Sequence, residues 1–351
     1  MTPQNTRVSI IIPARNEEAT LGACLESLVG QQGVPFEIIV VDDGSTDGTS
    51  GIADLFANVR LLAAGEPPAG QSGKCHAAWR GAQAATGSWL LFTDADTVHQ
   101  PGSLARCLRE AQDFGVVLLS LSPEQELHGW LQRVAMPVIF GELAHSYRPA
   151  DVNDPASPIA AANGQYLLIR RDVYQKVGGH CAVAHTLLED VALAEAVKRD
   201  GWKIRFRYGG DAVRTRMYRT WPELREGWSK NLALLFPGAE RLAARRALEG
   251  LGIVAGIGSL AGGLIARDRL PAIAGLAMAA PLGFLFYRRV RAAHSGALNT
   301  LLSPLGIPIF SYLLLRSAWK HRRGTVSWKG RTYDPRRPKS EGAPKAEPAA
   351  R

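Results

Sequence analysis

Trp89-Leu-Leu-Phe-Thr-Asp-Ala-Asp96 is an extended apolar run that ends in two carboxylates one residue apart. Val8-Ser-Ile-Ile-Ile-Pro13 and Glu37-Ile-Ile-Val-Val-Asp-Asp43 are two earlier runs of the same kind. Short β-branched and aliphatic runs bounded by turn residues are typical of buried parallel strands. Carboxylates therefore gather at the carboxyl ends of neighbouring strands, where open α/β sheets bind ligands. Because Mg²⁺ usually takes one or two carboxylates plus substrate phosphates, the pattern predicts a nucleotide-using enzyme.

The chain outside these runs alternates between strand-like and helix-like stretches. Strands are predicted at residues 7–12, 36–41, 60–62, 89–92 and 116–121. Helices are predicted at 17–28, after Asp47, at 73–85 and from near Pro101. This alternation predicts an α/β fold with a doubly wound, mainly parallel sheet.

Four short motifs occur in a fixed order: Pro13-Ala-Arg-Asn-Glu17, Asp42-Asp-Gly-Ser45, Asp94-Ala-Asp96 and Glu189-Asp190. Each is unspecific alone. In this order, across residues 1–235, they resemble the family-two glycosyltransferases, whose GT-A fold binds a nucleotide sugar. The resemblance implies a glycosyltransferase that uses a nucleotide sugar and Mg²⁺ or Mn²⁺.

The resemblance also implies a donor site. Asp43 would accept a hydrogen bond from the base imide of uridine, Asp94 would face the ribose or sugar, and Asp96 would hold the metal ion. The first loop would border uracil and ribose, and Lys74 would lie near the nucleobase or phosphates; the implied nucleotide-sugar residues are Pro13, Ala14, Arg15, Glu17, Asp43, Lys74 and Asp94.

The first loop and Lys74 also have a structural interpretation. Asn16 fits a helix cap, with Glu17 in the first turn of the helix. Lys74 fits a solvated lysine at a helix start. A phosphate-binding P-loop is excluded around Lys74, because Pro68 and Cys75 stand where that motif needs Gly and Ser or Thr.

Glu189-Asp190 begins an apolar-periodic helix that runs to about Arg199. The family pattern implies a carboxylate that deprotonates the acceptor hydroxyl for in-line attack on the anomeric carbon, which is general-base catalysis with positioning. We expect Asp190 to be the base and Glu189 to support it by hydrogen bonding, and a single displacement to invert the anomeric centre. The alternative is favourable interaction of both carboxylates with the helix dipole.

The strings Arg216-Met-Tyr218, Gly227-Trp-Ser-Lys-Asn231 and Trp328-Lys-Gly-Arg-Thr-Tyr333 resemble carotenoid- and hopanoid-associated lipid glycosyltransferases. The residues implied for acceptor or diphosphate are Gln165, Arg216, Trp228 and Lys230. The chain has only Arg225-Glu-Gly-Trp228 where polysaccharide synthases have Gln/Arg-x-x-Arg-Trp, which argues against a polymer product. The alternative for this segment is an amphipathic helix lying on headgroups.

The chain after residue 235 changes character. Residues 248–266, 270–287 and 297–315 are apolar stretches that approach the ~20 residues needed to span a bilayer, and Pro304, Gly306 and Pro308 interrupt the third. We therefore expect a catalytic domain at 1–235, a membrane domain at 236–320 and a basic tail at 321–351, disordered at its end. An apolar helical core domain is the alternative. Residues 129–145 fit an interfacial helix or a packed surface helix equally well.

The formal net charge of +9 comes largely from arginines and lysines that flank the apolar stretches. Such residues favour anionic headgroups and the cytosolic face, so a membrane partner is expected and nucleic acid is not.

No signal peptide precedes Val8, which predicts a multi-pass inner-membrane protein with a cytosolic catalytic domain. Three full spans would place the basic tail on the side of the membrane opposite the catalytic domain, whereas a re-entrant third segment would return the tail to the cytosol. The four cysteines show no zinc spacing and fit a reducing compartment.

The predicted function is inverting transfer of a sugar, from UDP-hexose, to a membrane lipid. A polyprenyl-phosphate glycosyltransferase and a non-catalytic nucleotide-sugar sensor are the alternatives. A nucleotidyltransferase ranks low, because strand one lacks the Gly-rich start that grips phosphate. Carotenoid acid, hopanoid, polyprenyl phosphate, sterol and diacylglycerol all remain candidate acceptors.

Overall fold

The computed structural model describes residues 7–328 and 331–333. Its strands are β1 (Val8–Ala14), β2 (Phe36–Asp42), β3 (Val59–Ala63), β4 (Trp89–Phe92), β5 (Thr97–His99), β6 (Leu118–Ser122), β7 (Glu124–Gln125), β8 (Leu167–Arg170), β9 (Ile204–Tyr208), β10 (Val213–Thr215), β11 (Val326–Trp328) and β12 (Arg331–Tyr333). The predicted disordered end of the tail, residues 334–351, lies outside the described residues.

The helices of the described chain run from the first βα unit to the last apolar segment. They are α1 (Leu21–Val29), α2 (Thr49–Asp54), α3 (Gly73–Ala84), α4 (Ser103–Asp113), α5 (Gly129–Ser146), α6 (Pro149–Asn153), α7 (Arg171–Lys176), α8 (Gly179–Ala182), α9 (Glu189–Arg199), α10 (Trp221–Leu235), α11 (Ala239–Ala266), α12 (Arg269–Arg291), α13 (Ala297–Leu302) and α14 (Ile307–Arg323), with a 3-10 helix at Ser303–Gly306 before α14.

The main sheet has seven strands in the order β3-β2-β1-β4-β8-β6-β9. β8 runs antiparallel to both neighbours, and the other pairs are parallel, so the predicted doubly wound, mainly parallel sheet is confirmed. Ala14 pairs with Asp42, and Ile11 pairs with Phe92. The carboxyl ends of β1, β2 and β4 therefore meet at one edge, as the acidic motifs predicted.

Apolar residues of the sheet alternate between two core layers, one on each face. Ile10 and Ile12 pack with α1 on one face, and Ile11 and Ile39 pack with α3 and α9 on the other. Gly81 brings α3 very close to β1, since a Cβ at this position would lie 2.5 Å from Ile11 Cγ2. This close approach fixes the start of α3, and with it Lys74, over the sheet edge.

α11 and α12 form an antiparallel hairpin that extends from the α/β part of the chain (residues 7–235). Gly256, Gly263 and Gly275 lie where the two backbones approach too closely for a side chain, as small residues do between membrane helices. Three helical segments, Ala239–Ala266, Arg269–Arg291 and Ala297–Arg323, are long and apolar enough to cross a membrane. The first two are 11% buried in their apolar windows, but the third is 39% buried.

The third apolar segment is broken at Ser303–Gly306 and packs back onto the α/β part. Gly306 lies against the backbone of Val134 in α5. At the other end, Ser317 Oγ donates to the carbonyl of Ser229 at 2.8 Å, and His321 Nε2 lies 2.8 Å from the carbonyl oxygen of Lys230. Both ends of this segment thus contact the α/β part.

The structure places α5 in neither of the two environments that the sequence suggested. Val134, Ala135, Met136, Val138 and Ile139 are all buried, and α5 packs against α12, α13 and α14. Burial of the helix is possible because its one acidic residue there, Glu142, pairs with arginines of α11 and α12. α5 is therefore an internal helix that joins the α/β part to the C-terminal helices.

Candidate active site

A cavity of about 710 Å³ opens at the sheet edge formed by β1, β2 and β4. It extends from the first loop to the end of α12. The structure brings every site residue predicted from the sequence to this one cavity: Pro13, Ala14, Arg15, Glu17, Asp43, Lys74, Asp94, Asp96, Gln165, Glu189, Asp190, Arg216, Trp228 and Lys230. Their roles stay predictions, but their proximity is a property of the fold.

The first loop is tied to the acidic loop after β2. Asp43 is 5% exposed, its N–H donates to the carbonyl of Ala14 at 2.9 Å, and its Oδ2 lies 3.8 Å from Arg15 Nη1. Asn16 adopts a φ of 54° and accepts a hydrogen bond from the N–H of Thr46 at 2.9 Å. Since α1 begins only at Leu21, Asn16 is not its cap, and it joins the two loops instead.

The turn after β4 presents Asp94 and Asp96 to the cavity. Thr97 Oγ1 donates to the backbone carbonyl of Asp94 at 2.8 Å, and Thr215 Oγ1 donates to that of Asp96 at 3.2 Å. These bonds fix the turn through its backbone. The carboxylates of both residues border the cavity and are half-buried.

Lys74 lies between carboxylates from two different elements. Its Nζ is 2.7 Å from Asp94 Oδ1 and 3.1 Å from Glu189 Oε1. The side chain is 42% exposed, so the ammonium is also open to the cavity. Lys74 therefore joins the turn after β4 to the start of α9, a connection that the sequence did not predict.

Glu189 and Asp190 begin α9, as the sequence predicted, but their environments differ. Burial opposes ionisation of Glu189, yet the charges of Lys74 and Lys230 outweigh it and lower the pKa of this carboxyl to about 2. Burial and the charge of Glu189 raise the pKa of Asp190 to about 6. The N–H of Gly164 donates to Asp190 Oδ2 at 2.9 Å and holds the carboxylate in place. Neighbouring carboxylates with separated pKa values are typical of acid–base sites.

The predicted diphosphate and acceptor residues border the same cavity as these acids. No hydrogen-bond partner among the described residues reaches the buried Nε of Arg216. Burial lowers the pKa of Lys230, with the charge of Glu189 acting in the opposite direction. Gln165 Nε2 donates to Thr215 Oγ1 at 3.1 Å. Trp228 is 2% exposed, so it forms part of the cavity wall rather than an open stacking surface.

Sequence reasoning missed the apolar half of the cavity. Phe140, Leu143 and Ala144 of α5, with Tyr147 directly after this helix, border it at spacing i, i+3, i+4 and i+7. That spacing was visible in the sequence, but only the tertiary structure shows that the stripe borders the same cavity as the acids. His294, which follows α12, stacks on Tyr208 with ring centroids 4.1 Å apart, and both residues border the cavity.

Whether the site can hold the expected metal ion depends on the carboxylates at the turn after β4. Among residues 7–328 and 331–333, no group of three or more His, Cys, Asp or Glu side chains is placed to hold an ion. Asp94 and Asp96 are the two carboxylates at that turn, and one of them is engaged by Lys74. One or two carboxylates suffice when phosphate oxygens complete the coordination, so these residues fit an ion that arrives with a nucleotide diphosphate.

Known proteins resemble this chain in sequence and in fold. Residues 9–178 match the model of the family described as glycosyl transferase family 2. The 4,4'-diaponeurosporenoate glycosyltransferase of Staphylococcus aureus strain USA300 is 28% identical over 337 residues, which cover 93% of this chain and 88% of that protein. The mannosyltransferase PcManGT from Pyrobaculum calidifontis, solved with GDP-Man and Mn²⁺, has a TM-score of 0.52 at 20% identity, over 91% of this chain and 87% of that one.

Proposed function

Because residues 9–178 match the family 2 glycosyltransferase model, we propose that the chain is a member of that family and transfers a hexose from a nucleotide sugar to a membrane lipid with inversion at the anomeric carbon. One observation carries the proposal. Asp190, with its pKa raised to about 6, borders the same cavity as the paired carboxylates Asp94 and Asp96. A base and a diphosphate site therefore lie around one space that a sugar can occupy.

The donor end is the part of the cavity bordered by the first loop and Asp43. A buried carboxylate at the end of β2 suits the imide N–H of uracil, which supports UDP-hexose as donor. Arg216 and Lys230 border the same cavity and supply positive charge. Their charge would stabilise the departing diphosphate.

Asp96, assisted by Asp94, would hold Mg²⁺ or Mn²⁺ together with the diphosphate. When bound, the ion neutralises charge on the leaving group. The solved mannosyltransferase contains Mn²⁺, which supports a divalent cation here without choosing between the two metals. Lys74 keeps Asp94 in place by its 2.7 Å contact.

Asp190 would act as the general base. With a hydroxyl acceptor, the hydroxyl proton moves to a carboxylate oxygen of Asp190, the acceptor oxygen bonds to the anomeric carbon, and the bond from that carbon to the diphosphate oxygen breaks. A carotenoid acid is already ionised at neutral pH, so its carboxylate attacks without this proton transfer. A base with a pKa near the working pH is efficient in this role. The N–H of Gly164 holds Asp190 and Lys74 holds Glu189, so both carboxylates are positioned before substrate binds.

The acceptor would be a lipid of carotenoid type. The name of the Staphylococcus aureus relative specifies a carotenoid acid, and the alignment covers 93% of this chain. Three helical segments long and apolar enough to cross a membrane follow the α/β part and would keep the site beside lipid, on the cytosolic face of the inner membrane. Hopanoid and polyprenyl phosphate stay alternative acceptors.

The proposed function is tested by measuring the transfer of sugar to lipid. Membranes containing the protein are incubated with Mn²⁺, with each of several radiolabelled nucleotide sugars, and with a carotenoid acid, a hopanoid or a polyprenyl phosphate. We expect a labelled lipid with a UDP-hexose, and none from membranes that carry Asp190→Asn and Asp96→Ala together. Binding of nucleotide sugar without any labelled lipid would instead identify a sensor.

A further inference from the structure

The cavity has an apolar arm that the donor does not need. The α5 stripe, formed by Phe140, Leu143, Ala144 and Tyr147, borders this arm together with Leu187, Leu188, Val191, Phe206 and Leu235. Tyr147 Oη donates to the carbonyl of Leu235 at 2.8 Å and closes one corner. A nucleotide and a diphosphate are polar and charged, so this apolar surface has no partner on the donor side.

The arm lies where the helical hairpin joins the α/β part. Gly141 packs directly on the end of α12, since a Cβ there would lie 2.9 Å from Val290 Cα. Ala292, Ala293 and His294, which follow α12, border the cavity next to this contact. α12 is one of the segments apolar enough to cross a bilayer. The arm is therefore continuous with a surface suited to lipid.

The arm ends at the proposed base. Leu188 and Val191 border the arm on either side of Asp190 in sequence, and all three residues border the cavity. A volume of about 710 Å³ is typical of a pocket for one ligand. With a nucleotide sugar bound, there is room only for the end of a long lipid.

We propose that this arm binds the hydrocarbon chain of the acceptor next to its reacting group, and that the acceptor enters from the bilayer with its polar end first. The inference rests on the proposed function and adds the binding site and the class of acceptor. The class is an amphiphile whose reactive polar group ends a linear chain.

A larger side chain can fill the arm without contacting the residues at the nucleotide-sugar end of the cavity. We expect Ala144→Trp to raise KM for the lipid acceptor by roughly tenfold or more. Affinity for UDP with Mn²⁺ should stay within about twofold of wild type. Ala57→Trp adds the same side chain at an exposed position outside the cavity and serves as the matched control.

A second measurement does not depend on a bulky substitution. A benzophenone amino acid at position 143 should crosslink to the lipid acceptor on irradiation, and the same group at position 57 should not. Unchanged acceptor KM in Ala144→Trp, or equal crosslinking at both positions, would overturn the inference. Absence of transfer to any lipid by the wild-type protein would overturn the proposed function instead, so the two failures are distinguishable.

Discussion

Arg246 and Glu142 form a two-point ion pair inside the protein: Nε to Oε2 and Nη2 to Oε1 are both 2.8 Å. Arg289 and Glu249 complete the cluster, because Arg246 also reaches Glu249 at 2.8 Å and Arg289 reaches Glu142 at 3.2 Å. All four side chains are at most 9% exposed. The cluster joins α5, whose stripe forms the apolar arm, to α11 and α12.

Breaking this cluster on one side should destabilise the protein strongly. Arg246→Met leaves Glu142 and Glu249 with one arginine between them, and loss of one partner of a buried pair costs about 3–5 kcal/mol. The measurement is thermal unfolding in detergent. Arg322→Met is the control, because Arg322 pairs with Glu240 at the surface, where ion pairs contribute about 0–1 kcal/mol. Equal melting temperatures for the two variants would show that the cluster does not stabilise the fold.

The base assignment predicts a large effect of Asp190→Asn. The carboxamide keeps the size of the side chain but cannot take a proton, and general-base catalysis contributes about 10² to 10⁴-fold. With a lipid alcohol we expect kcat to fall by that factor while UDP affinity is kept. A lipid carboxylic acid is already ionised at neutral pH, so its transfer should fall less. Near-normal kcat with the alcohol would exclude Asp190 as the base.

The dependence of kcat/KM on pH should reflect the ionisation of Asp190, and Lys74 should influence it. Asp190 must be ionised to act, so kcat/KM should fall as pH drops below about 6. The ammonium of Lys74 lowers the pKa of Asp190, and its removal in Lys74→Met should therefore shift this limb to higher pH. Lys74→Arg retains the positive charge and should shift it less. A limb that stays in place in Lys74→Met would contradict the coupling.

The metal assignment predicts that Asp96→Ala abolishes Mn²⁺- or Mg²⁺-dependent transfer while the protein stays folded. It should also remove the gain in UDP affinity that Mn²⁺ produces in the wild-type protein, a readout independent of turnover. Asp47→Ala, at an exposed acid outside the cavity, is the control. Transfer that survives either a chelator or Asp96→Ala would remove the metal role.

The packing of the third apolar segment predicts which side of the membrane the tail occupies. Because Ser317 and His321 contact α10, residue 325 should lie on the same side as the α/β part, with only the hairpin crossing the bilayer. In a Cys181→Ser background, an impermeant thiol reagent should label Thr325→Cys and Ala57→Cys from one side and Arg269→Cys, near the tip of the hairpin, from the other. Labelling of residues 325 and 269 from the same side would establish three full spans.

The sequence by itself determined the sheet edge and its acids. The apolar runs that end at Pro13, Asp43 and Asp96 are local patterns of strand and turn, and parallel pairing necessarily brings such ends together. The helix that starts at Glu189 was equally local. The three apolar stretches were likewise evident from composition alone, because spanning length and low charge are properties of a continuous segment.

Only the tertiary structure decided how distant segments meet. Lys74 reaches Glu189 because Gly81 lets α3 lie close on β1, and no local pattern encodes that contact across 115 residues. α5 carries too few charges for its sequence periodicity to show whether it is buried. Its burial depends on Arg246 of α11 and Arg289 of α12, which neutralise Glu142. The apolar lining follows from that packing, since an ion pair formed over long range sets which face of α5 borders the cavity that Asp190 also borders.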